Sequence, residues 1–79
     1  MISITSQHIN EIQLLSMFNV TTTQEGIKVH KSAEPTAIDA AQRLFQKGLI
    51  TQPDGGYLTH QGIEAAEHTQ ALLAILKDA

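Results

Sequence analysis

Apolar residues return at every third position over the first part of the chain, at Ile9, Ile12, Leu15 and Phe18, with Leu14 and Met17 widening the stripe. That spacing predicts an amphipathic helix over residues 6–18 that is buried on two sides. Thr5 or Ser6 supplies its cap, because either hydroxyl can accept from the unpaired N–H groups of a first turn. A polar break follows at Thr21-Thr22-Thr23. Thr22 and Glu25 then stand at capping-box spacing, which favours a short second helix over Thr23–His30. Against it, Ile27 and Val29 alternate with Lys28 and His30 and are both β-branched, which favours a strand. Gly26 weakens either element, and the helix is the expectation.

The next element is the clearest. Ser32 can cap it, Pro35 sits in its first turn where a missing N–H costs nothing, and Ala37, Ile38, Ala41, Leu44 and Phe45 form its apolar face. Gly48 stands at the position of a helix-ending glycine, with Lys47 before it to complement the helix dipole. Leu49-Ile50-Thr51 and Tyr57-Leu58-Thr59 are two short strands, and Pro53-Asp54-Gly55-Gly56 between them is a turn signal. Thr59 caps a last helix from His60 to about Lys77. Its end, Ala71 to Leu76, is apolar around most of its circumference, where a surface helix would show a single stripe. That end is expected to pack on the first helix, with some of it available to a second subunit. Phe18 and Phe45 are expected in the core, and Tyr57 against the hairpin with its hydroxyl at the edge.

With 79 residues the chain has room for one domain, residues 1–79, with a thin core. Leu, Ile, Val and Phe make up 21 of the 79 residues, enough to place it among folded rather than disordered chains. There is no cysteine, which excludes disulfides, thiolate zinc sites and a cysteine nucleophile. The six-residue apolar run is far short of the ~20 residues that cross a membrane. The opening Met1-Ile2-Ser3-Ile4-Thr5 lacks the features of a secretory signal, so a cytoplasmic location is expected.

A net charge of −3 argues at first against nucleic acid. The charge is unevenly spread, however. From Lys28 to Lys47, four cations (Lys28, Lys31, Arg43, Lys47) face two anions (Glu34, Asp39), while the remainder of the chain is −5. A local positive field is therefore available on an acidic protein.

Two stretches resemble the turn and recognition helix of bacterial winged-helix regulators: Ser32-Ala33-Glu34-Pro35-Thr36-Ala37-Ile38, and Arg43-Leu44-Phe45-Gln46-Lys47-Gly48-Leu49-Ile50. Tyr57-Leu58-Thr59-His60-Gln61-Gly62 is similar to the segment that leaves the wing in such proteins. Thr23 to His30, Lys47 to Thr51 and Asp54 to Thr59 also resemble a family of short bacterial proteins of unknown role, some labelled DNA-binding. The resemblance implies a mostly α fold with a small β-hairpin, winged-helix-like, with three helices, a hairpin and a C-terminal helix. It implies binding of double-stranded DNA through the helix at 35–47 and a role as a transcriptional regulator. Thr36, Asp39, Gln42, Arg43, Gln46 and Lys47 would form the polar front of that helix, and Lys28, Lys31 and Lys47 would hold phosphates. Asp39 lies four residues before Arg43, where a surface ion pair is the plainer role for both. The turn at Pro53 to Gly56 carries no cation, although phosphate contacts dominate affinity. Useful binding would then need a dimer, with Leu72, Leu73, Ile75 and Leu76 as its surface.

The alternative is a non-enzymatic protein–protein interaction module on the same fold, with a homodimer or another protein as partner. It accommodates the acidic turn and the apolar last helix directly. No cofactor and no enzymatic activity are expected. There is no phosphate loop and no serine with an evident base, and so small a domain has little material for a pocket above ~300 Å³. His60, Glu64 and His68 share a helix face, but His60 and His68 are ~12 Å apart along the axis, too far for one ion. His8 and His30 have no spaced partner.

Overall fold

The computed structural model describes residues 2–22 and 24–77. The order is α1 (Ser6–Leu15), β1 (Ile27–Lys28), α2 (Pro35–Gln46), β2 (Ile50–Gln52), β3 (Gly55–Leu58) and α3 (His60–Leu76). The chain is mostly α with a small β-hairpin, and its layout is compatible with a winged-helix arrangement.

Thr5 caps α1 in a reciprocal box. Its Oγ1 accepts from the His8 backbone N–H at 3.3 Å, and His8 Nδ1 accepts from the Thr5 N–H at 3.2 Å. A histidine thus fills the place usually taken by Glu or Gln. The helix ends three residues before the expected 18: Met17 and Phe18 donate to the carbonyls of Leu14 and Leu15, a tightening that ends many helices. Leu14, Leu15 and Phe18 are buried, while Ile9 and Met17 face outward. The buried stripe therefore runs through Glu11, Leu14, Leu15 and Phe18 rather than through Ile9.

The short helix expected over residues 23–30 does not form among the described residues, Thr23 lying outside them, and the segment instead contributes a two-residue strand, Ile27–Lys28. Ile27 and Lys28 pair antiparallel with Gly56 and Gly55, making β1 the edge of a sheet ordered β1-β3-β2. The β-branched alternation prevails over the capping-box spacing because β3 offers a ladder to pair with. Gly26 and Gly55 permit that pairing: a Cβ on Gly26 would collide with the Gly56 carbonyl, and one on Gly55 with that of Ile27. No helix lies between α1 and α2 among the described residues, so α2 has no partner helix in a helix-turn-helix sense.

Glu34, not Ser32, is the residue that precedes α2, and its side chain makes no capping bond; Pro35 opens the helix as expected. Ala40, Ala41 and Leu44 are buried against α1 and the sheet. Phe45, expected in the core, is 40% exposed, because the inward arc of α2 is filled by alanines and Leu44. Gly48 has φ +77° and ends the helix. Thr59 then joins three elements. It donates its hydroxyl to the Gly48 carbonyl at 2.6 Å, accepts from the Gly62 N–H at 3.1 Å, and gives its own N–H to the Leu49 carbonyl. Gly62 is required there, since a side chain would strike the Leu49 backbone. Tyr57 sits against Gly26 and is about half exposed.

α3 is seated from His60 to Gln70 only. Gly62 and Ala66 are buried, and Gln70 Nε2 donates to the Phe18 carbonyl at 2.7 Å and to that of Leu15 at 3.4 Å. Every residue from Ala71 to Lys77 is exposed. The expectation that this end packs on α1 therefore stops at Gln70.

Candidate functional site

α2 carries most of the residues that the sequence marks for nucleic-acid contact, and its geometry sorts them onto different sides. Successive residues of an α-helix are about 100° apart. With Ala37, Ala40, Ala41 and Leu44 directed inward, Thr36, Arg43 and Lys47 fall on the flank nearest α1. Gln42 falls on the opposite flank, and Asp39 and Gln46 lie between, facing outward.

On the α1 flank both cations are held within the molecule. Arg43 Nε lies 3.4 Å from Glu11 Oε2, Arg43 Nη2 donates to the Gln7 carbonyl at 3.4 Å, and Lys47 Nζ donates to Glu11 Oε1. Glu11 is only 6% exposed. A buried carboxylate is tolerated when charge-assisted hydrogen bonds replace its water, and two cations supply them here. Arg43 thus pairs with an acid 32 positions away rather than with Asp39, which makes no ion pair among the described residues. The sequence carries a signal for this. Glu11 stands three, four and seven residues before Leu14, Leu15 and Phe18, in the middle of a buried stripe, where only a paired carboxylate belongs.

On the opposite flank, Lys28 Nζ lies 3.1 Å from Asp54 Oδ2. The hydrogen bond from Lys28 is the largest influence on the Asp54 carboxyl and, with the lysine's charge, holds its pKa below the ordinary aspartate value. The Val29 N–H donates to the Asp54 carbonyl at 2.7 Å, which fixes the hairpin turn beside β1. Lys31 is exposed and makes no ion pair among the described residues. Lys28, Lys31 and Gln42 share the rim of a groove of about 730 Å³, walled by Val29, Ile38 and Pro53. That volume exceeds what so small a domain was expected to offer. It arises between elements, where the 29–32 segment and the hairpin turn stand away from α2.

The seven expected nucleic-acid contacts therefore do not form one patch. Lys28, Lys31 and Gln42 meet at the groove, Arg43 and Lys47 meet at Glu11, Thr36 borders a small hollow against Asn10 and Met17 of the α1 region, and Gln46 faces outward alone.

At the far end of the molecule, Leu72, Leu73, Ile75 and Leu76 are 53, 39, 73 and 60% exposed. Together with Ala74 and with Ser16 beyond α1, Leu73 and Leu76 border a shallow trough of about 590 Å³. On α3 itself, His60 Nε2 lies 3.8 Å from Glu64 Oε1 and both side chains are well exposed. Among the described residues, no three His, Asp or Glu side chains are placed to hold a metal ion, and no helix is long and apolar enough to cross a membrane.

Residues 2–77 match the Family of unknown function (DUF5669). The chain belongs to that family. Neither a curated protein nor a solved structure matches it. Membership of DUF5669 thus extends over all the elements described above, from the capping box of α1 to the bare end of α3, and it leaves the role of both surfaces to the chemistry of the residues themselves.

Proposed function

We propose that this DUF5669 domain is a non-enzymatic protein-interaction module that works through the C-terminal end of α3, with a second copy of the chain as its first partner. The observation that carries this reading is the run Ala71 to Leu76, which continues α3 past the core with its large apolar side chains exposed. Contiguous apolar surface of this kind is unfavourable in water and favours association. A two-fold contact would cover the same patch on both copies at once. Sedimentation velocity over a range of concentrations tests this: a monomer–dimer equilibrium is expected, shifted to monomer by Leu72→Asp together with Ile75→Asp. A strict monomer at the highest concentration would remove the second copy as the partner.

A second reading, DNA binding by such a dimer, has support in Gln42 and Gln46, which lie on solvent-facing parts of α2 where amides suit adenine edges. Its weakness is electrostatic, because Glu11 and Asp54 already occupy three of the four cations. Titration of duplex DNA at low salt separates the readings. DNA binding requires amide shifts around residues 28–47 that fade as salt rises, whereas the interaction module predicts none there.

A further inference from the structure

The groove beside α2 plays no part in the association proposed above, and its chemistry is distinct. A volume of about 730 Å³ lies within the range of ~300–1,000 Å³ typical of small-molecule sites. Val29, Ile38, Ala41 and Pro53 make much of its lining apolar, while Lys28, His30, Lys31, Ser32, Gln42 and Asp54 supply its polar groups. Asp54 is already satisfied by Lys28 at 3.1 Å. The rim is thus left with one positive charge in excess, at Lys31, on a chain whose net charge is −3. An apolar floor calls for a hydrocarbon body, and an excess cation beside an amide donor calls for one anionic head.

We propose that this groove binds a small carboxylate with an aliphatic tail. The head lies toward Lys31 and the Gln42 amide, whose N–H groups donate to its oxygens. The tail covers Val29, Ile38 and Ala41, exchanging water for apolar contact. A cationic amphiphile of equal length gains the same apolar contact but meets the excess positive charge at Lys31, since Lys28 is already paired with Asp54, so the sign of the head group is the discriminating feature.

The test uses the full chain, labelled with ¹⁵N and titrated with sodium octanoate below micelle formation, beside octyltrimethylammonium and acetate. Saturable amide shifts at residues 28–32 and 38–42 are expected with octanoate, at lower concentration than with either of the other two. Lys31→Glu, at an exposed position, should leave the spectrum folded and weaken octanoate binding about fivefold, the effect of ~1 kcal/mol from an exposed charge. Equal binding of octyltrimethylammonium in the groove would overturn the proposal. So would octanoate shifts that never saturate, or that appear only at Ala71 to Leu76.

Discussion

Helices α2 and α3 stand in opposite conditions. α2 displays the residues that look most like a binding surface, yet the fold consumes several of them: Arg43 and Lys47 close around Glu11 and tie α2 to α1. α3 displays residues that look like core, yet the fold leaves them bare. The cause is length. α3 runs for 17 residues, and α1, the element it lies against, ends at Leu15 with Phe18 just beyond, so nothing among the described residues covers α3 past Gln70. Cations near a buried acid are drawn into the structure, whereas apolar side chains that outrun the core have no intramolecular partner. The candidate binding surface moves accordingly, from the charged helix to the greasy end of its neighbour.

The largest test of this contrast is a pair of truncations. Leu44→Ala should cost ~3 kcal/mol in urea unfolding, since Leu44 is 1% exposed and its loss leaves a cavity. Leu76→Ala in dilute solution should change stability by less than ~0.5 kcal/mol. Similar losses at both would place the end of α3 in the core and end the contrast.

Removing the acid that holds the cations of α2 should have the next largest effect. Glu11→Gln leaves Arg43 and Lys47 without their carboxylate, with side chains 23 and 49% exposed. Because both can still reach water, the loss should be ~2 kcal/mol, below the full cost of breaking a buried pair. A double-mutant cycle with Arg43→Met should show coupling between the two positions. Additive effects would mean that Arg43 is free for an external partner.

Thr59, where the end of α2 meets the start of α3, should contribute ~1 kcal/mol as a cap. Thr59→Ala tests this by thermal unfolding. A loss well below that value would mean that the Gly62 and Gly48 bonds are not jointly required.

The smallest effect belongs to Asp54. Its folded pKa is lowered by the hydrogen bond from Lys28, so its contribution to stability is fully present above the ordinary aspartate pKa and is lost as pH falls through the lowered value. An NMR titration of the Asp54 carboxyl should show its midpoint rising toward the ordinary value in Lys28→Met. An unchanged midpoint would mean that the ion pair does not form in solution.

Local chemistry specifies several parts of this fold. Pro35, Gly48 and Thr59 mark the start of α2, its end and the cap of α3, because each acts on groups within a few residues. The 23–30 segment was harder to assign: its strand depends on β3, some thirty residues ahead, and on the room left by Gly26 and Gly55. The site was less apparent than the fold for a related reason. Four cations within twenty residues resemble a patch, but Glu11 lies far outside that window and two of the four turn toward it. The apolar run from Ala71 to Leu76 is plain in the sequence, but its pattern points to packing on α1. Its exposure depends on where α1 stops.

The central claim is that the C-terminal end of α3, Ala71 to Leu76, is the surface on which copies of this domain meet. A mixed sample of ¹³C-labelled and unlabelled chain, read by isotope-filtered NOE spectroscopy, addresses it directly. The account predicts intermolecular contacts from the methyl groups of Leu72, Leu73, Ile75 and Leu76. Intermolecular contacts arising from α2 instead, or none at a concentration where the chain sediments as a dimer, would contradict it.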